Sequence, residues 1–197
     1  MVLTFRNPVW SGYFADPFVL PWRGEYFAYG TGEGLAISPE GEPRAFAVLR
    51  SADLVQWSAA GGALVPPLDA KDHVFWAPAV AERAGRFYLY YSCAPVNRDE
   101  CHRLRVATAE HPTGPFLDAG PVLPESEGFT IDAHPFRDPR DGRCYLFYAK
   151  DYFEERTGTG LAVVPLTDDG LRAAEPARVA VRANADWQIY ERDRGIG

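Results

Sequence analysis

Two acidic residues stand where a carboxylate is costly to keep. Asp16 lies in ADPF and Asp132 in IDAHPF, each among alanine, proline and phenylalanine. An ionised carboxylate in apolar surroundings loses solvation unless it has a partner or a task. Two carboxylates that share a cavity can divide acid–base chemistry. One stays ionised by accepting hydrogen bonds and takes a proton from water; the other, by like-charge repulsion, helps a nearby carboxylic acid keep its proton. An aspartate before proline is also a common turn starter, so Asp16 taken alone has a structural reading. Asp138 and Asp141 in RDPRDGR read as turn residues outright.

The elements that would carry these residues repeat. ADPFVLPWRGEYFAYGT, WAPAVAERAGRFYLYYS and DAHPFRDPRDGRCYLFYAK each show a short strand, a turn with glycine, and an aromatic-rich strand. The matching glycines Gly24, Gly85 and Gly142 recur about every sixty residues. A third apolar run follows each pair, in FAVLRSADLVQW, LRVATAEHPTGPF and GLAVVPLTDDG. Val, Tyr and Phe dominate runs bounded by Gly, Pro, Asp and Ser, without helical spacing, so the pattern predicts an all-β chain. Short meanders at this period are the pattern of β-propeller blades, because one such sheet buries its faces only by stacking on neighbours. An ordinary β-sandwich is the competing architecture. The expected blades span about 8–60, 70–120 and 128–180, with the start of a fourth at 185–197, in a single domain over 1–197. First strands line a propeller's axis, so Asp16, the segment from Trp76 to Ala79, and Asp132 are expected at one mouth.

Bulk properties narrow the function classes. The 197 residues are 47% hydrophobic and 14% aromatic, which excludes a disordered chain. A net charge of −7 with scattered arginines and only Lys71 and Lys150 argues against nucleic acid or an anionic membrane as partner. No run approaches the roughly 18 apolar residues that span a bilayer. The N-terminus has no signal-peptide pattern, and Cys93, Cys101 and Cys144 lack zinc-like spacing, so a cytoplasmic location with reduced thiols is expected. GTGEG at 30–34 precedes no helix and reads as a loop between strands rather than a phosphate cradle. His73, His102 and His111 share no metal-site spacing.

Taken together, NPVWSGYFADPFVL with GEYFAYGT, WAPAV with GRFYLYYS, IDAHPF with CYLFY, SADLVQW and HPTGPF resemble glycoside hydrolase family 43 over nearly the whole chain. That resemblance implies a five-bladed propeller, about three blades and the start of a fourth being present. It implies a glycosidase inverting the anomeric centre of xylose- or arabinose-containing oligosaccharides, with Asp16 as general base and Asp132 as the group that tunes and orients the acid. The family's acid is a Glu before Gly-Pro or Ala-Pro on blade four. No such motif follows Asp132 here, and Glu191 in IYERDR is the remaining candidate. Trp76, Phe75, Trp10 and His134 are candidate sugar contacts, with core packing as the competing role for Trp76 and Phe75 and a structural hydrogen bond for His134. No cofactor is expected; some relatives carry an axial calcium, which no motif here indicates. A truncated propeller of this type lacks roughly one hundred residues. Its exposed blade edge predicts self-association, and an inactive or merely sugar-binding remnant is the alternative function.

Overall fold

The computed structural model describes residues 5–70, 72–154 and 157–188. Three antiparallel sheets follow one another along the chain. The first contains β1 (Ala15–Trp22), β2 (Glu25–Thr31), β3 (Ala36–Ile37), β4 (Pro43–Ser51) and β5 (Ser58–Leu64). Its order is β1-β2-β4-β5, with the two-residue β3 also paired to β4. The second is β6 (His73–Arg83), β7 (Arg86–Pro95), β8 (Arg103–Ala109) and β9 (Leu117–Pro121). The third is β10 (Thr130–Arg137), β11 (Cys144–Tyr152), β12 (Gly158–Pro165) and β13 (Arg178–Val181). Both are simple four-stranded meanders. The chain is all-β, built of propeller blades. Of the stretch read as opening a fourth blade, Asp186–Gln188 form a 3-10 turn and residues 189–197 lie outside the described residues.

The turns follow from local chemistry. Arg23-Gly24 and Ala84-Gly85 are two-residue hairpin loops in which both residues have positive φ, from 49° to 81°. Such turns match the right-handed twist of the flanking strands, and glycine enters the left-handed region at no steric cost. The third hairpin is longer. Asp138 Oδ1 accepts the Arg140 N–H at 2.9 Å and Asp141 Oδ1 accepts the Arg143 N–H at 2.9 Å, which makes both aspartates turn residues as their setting suggested.

Two cores hold the blades together. Phe27, Tyr29, Phe46, Val48 and Leu64 of the first sheet meet Val80, Phe87, Leu89 and Tyr91 of the second. Tyr90, Leu104 and Val106 on the second sheet's other face meet Leu146, Tyr148, Ala162 and Val164 of the third. Strand alternation thus sends neighbouring β7 residues to opposite interfaces. Each large side chain buried this way contributes about 1.5–3 kcal/mol. Equivalent tyrosines clasp the next blade: Tyr29 Oη donates to the Pro112 carbonyl at 2.6 Å and Tyr90 Oη to that of Gly170 at 2.8 Å. β6 packs between β1 and β10, which gathers the three first strands.

Candidate active site

All three first strands break their pairing at the same place. Between Ala15↔Thr31 and Phe18↔Tyr29, residues Asp16 and Pro17 face Gly30 alone. Ala77 and Pro78 face Tyr91 in β6, and Asp132 and Ala133 face Tyr148 in β10. These are β-bulges whose first residue is left-handed, with φ of 48° at Asp16, 47° at Ala77 and 56° at Asp132. The conformation costs a non-glycine residue roughly 1–2 kcal/mol, least for Asp and Asn. A proline is tolerated at a bulge because no ladder hydrogen bond is asked of it. Asp16 is therefore a residue inside a strand and not a turn starter.

The bulges place Asp16, Ala77 and Asp132 at equivalent points of neighbouring blades. Thr31 Oγ1 donates to Asp16 Oδ2 at 3.3 Å and accepts the Ala77 N–H at 2.9 Å, so a buried hydroxyl ties the first carboxylate to the second blade. The Asp132 carboxyl is held above the ordinary carboxylate range, first by burial and then by the negative charge of Asp16. Both residues keep solvent-exposed surface, so the crowding comes from the surrounding sheets while one side stays open. From β1 to β10, the rings of Phe18 and His134 lie 6.0 Å apart. Asp16 thus acts on Asp132 through its charge, and His134 meets the first blade at Phe18.

The aromatic candidates divide. Trp76, half-buried, stacks on His102 with ring centroids 3.9 Å apart and planes at 26°. It lines a cleft of about 220 Å³ together with His73, Phe75 and the Gly32–Leu35 loop. Phe75 packs edge-on to Phe46 at 6.3 Å and close to Tyr91, so its ring belongs mainly to the core. Trp10 stands elsewhere than Trp76. With Trp57, Phe14, Val19 and Pro17, the residue after Asp16, it lines a groove of about 610 Å³ on the first sheet's outer face that includes neither Trp76 nor either carboxylate. Glu191 lies outside the described residues. A groove of about 680 Å³ along Ala119–Pro124 and Arg172–Ala177 contains neither Asp16 nor Asp132. Among the described residues, no three His, Cys, Asp or Glu gather as a metal site.

A sequence pattern described as Glycosyl hydrolases family 43 matches residues 5–192. The chain belongs to glycosyl hydrolase family 43. Within it, the chain is 31% identical over 131 residues to a probable arabinan endo-1,5-alpha-L-arabinosidase B of Aspergillus oryzae, covering 62% of this chain and 33% of the relative. It is 29% identical over 100 residues to xylosidase/arabinosidase 43A of Humicola insolens, covering 43% and 29%. A thermostable family-43 glycoside hydrolase of known crystal structure superposes with a TM-score of 0.77 at 28% identity, covering 93% of this chain and 58% of that one. The chain thus spans a third of the Aspergillus relative and under two thirds of the solved structure.

Sequence reasoning missed Thr31, Ser92 and His102. Thr31 and Ser92 each stand seven residues after a repeat glycine, where the third repeat has Ala149, so aligning the repeats would have marked them. His102 carried no such signal.

Proposed function

We propose that this family-43 glycosyl hydrolase cleaves O-glycosidic bonds of xylose- or arabinose-containing oligosaccharides with inversion. Asp16, ionised and oriented by Thr31, takes a proton from a water whose oxygen attacks the anomeric carbon. The bond from that carbon to the leaving oxygen breaks, and the leaving oxygen receives a proton from a carboxylic acid. Asp132 orients that acid and, through its charge, raises the acid's hold on the proton. Glu191 is this chain's candidate for the acid. The observation that supports the reading is the left-handed bulge that Asp16 and Asp132 share at equivalent points of their blades, with the charge of Asp16 acting on Asp132. The relatives' names, arabinan-directed in one case and xylosidase/arabinosidase in the other, support the substrate class.

A second reading is a sugar-binding domain without turnover. One observation favours it: among the described residues, Asp16 is the carboxylate whose charge acts on Asp132, and no glutamate joins them. Release of nitrophenol from nitrophenyl β-xyloside and α-arabinofuranoside tests both. Hydrolysis that Asp16→Asn lowers about 10³-fold supports the enzyme. Folded protein that releases no nitrophenol overturns it and leaves the binding domain.

A further inference from the structure

His102 is one of the buried titratable groups that the mechanism leaves unused. It is 0% exposed, and its imidazole lies against the indole of Trp76. Its Nδ1 meets Ser92 Oγ at 3.1 Å, and its Nε2 has no partner among the described residues. Its carbonyl accepts the N–H of Thr130 at 3.1 Å, two residues before Asp132, and Thr130 Oγ1 in turn accepts the Leu104 N–H at 3.2 Å. One residue therefore touches Trp76 through its ring and the Asp132 strand through its backbone. An aromatic ring binds a sugar through its flat face, and a ring fixed before binding loses less entropy when the sugar arrives.

We propose that His102 is a positioning residue that holds the Trp76 indole as a flat shelf for a neutral pentose unit beside the two carboxylates. The cleft with Trp76, Phe75 and the Gly32–Leu35 loop is the space that such a unit occupies. The inference rests on the carbohydrate-directed reading above. Neutrality of the imidazole is part of the device. Burial, then the neighbouring His73 of β6 and Arg103, the next residue along the chain, push its pKa down to about 4. Asp99 and Glu100, in the preceding turn, are exposed. Above that value the ring is an uncharged stacking partner. Below it an imidazolium faces, among the described residues, only cationic or neutral groups, and the shelf is released, so sugar affinity falls as pH falls through about 4.

Two measurements test this. The fluorescence of Trp76, taken as the difference between wild type and Trp76→Phe, should be quenched with a midpoint near pH 4, and His102→Gln should abolish that titration. Xylobiose affinity at neutral pH, measured by calorimetry in the Asp16→Asn background so that turnover cannot consume the probe, should fall about tenfold in Trp76→Ala and His102→Ala. His102→Phe, which restores a flat ring, should recover most of it. His102→Phe and His102→Gln decide the matter if His102→Ala does not fold. Unchanged affinity in the His102 variants, or in Trp76→Ala, overturns the inference, as does a Trp76 signal that does not titrate. Binding with the expected ranking but no nitrophenol release sinks the hydrolase reading alone. Xylobiose that binds no variant while nitrophenyl glycosides are hydrolysed sinks the shelf alone, and failure of both sinks both.

Discussion

Thr31 shows how little of a site's chemistry resides in the carboxylates themselves. Its hydroxyl fills two obligations at once, and valine in its place would leave the Ala77 N–H without an acceptor, a loss of about 1–3 kcal/mol. Thr31→Val should therefore lower kcat about tenfold by loosening Asp16, while Thr31→Ser, which keeps the hydroxyl, should stay near wild type in steady-state kinetics. Asp132 makes a prediction of opposite sense for stability. Its folded carboxyl binds a proton more tightly than the unfolded one. Between the two values the native state holds more protons, so stability falls as pH rises through that window. Asp132→Asn removes this cost: it should abolish turnover yet raise Tm by roughly 2 °C at pH 7 and leave it unchanged near pH 3, as read by calorimetry. A variant less stable at neutral pH would show that Asp132 is a structural carboxylate.

Among the elements, the hairpins were the most legible and the bulges the least. Gly24 and Gly85 mark the tight turns because a two-residue loop needs left-handed backbone, and the residue before each glycine shares that need. Ala84 meets it at φ 53°, an unfavourable conformation for alanine. Ala84→Asn should raise stability by about 0.5–1 kcal/mol, seen as a denaturation midpoint moved to higher urea without a change in slope. A neutral or destabilising result would mean that the loop is held by something other than its own backbone preference. The bulges were hidden for a different reason. Alternation of side chains is visible in a one-dimensional pattern, whereas an extra residue shows only against the partner strand's register. Asp16 and Asp132 were therefore found through the repeat, and their shared backbone state was not. His102 was illegible because its contacts, Trp76, Ser92 and Thr130, come from three separate strands.

At the scale of the molecule, the sequence placed Trp10 beside the site because it precedes Asp16 by a few residues. In the structure Trp10 lines a groove on the first sheet's outer face with Trp57, Val19 and Pro17, the residue after Asp16, and apart from Trp76. That face and its counterpart on the third sheet are both apolar and exposed: Val19 and Leu54 on one, Phe136, Leu161 and Val181 on the other. Blade packing joins the outward face of one sheet to the inward face of the next. The two exposed faces are thus unlike surfaces of the kind already buried twice within the chain. Tyr29 and Tyr90 clasp their neighbours through hydroxyls, whereas the equivalent position on the third sheet is Phe147, which has none. A contact made there rests on apolar burial alone. When a second copy docks, the pairing of unlike faces is head-to-tail and need not close at two. The 197-residue chain should therefore show a concentration-dependent distribution of species in sedimentation velocity at micromolar concentrations rather than a single dimer. Phe136→Asp with Leu161→Lys should return it to monomer without lowering Tm, because both side chains are exposed in the single chain. A monodisperse, stable wild-type monomer would sink this expectation and show that the exposed faces are tolerated in water as they stand.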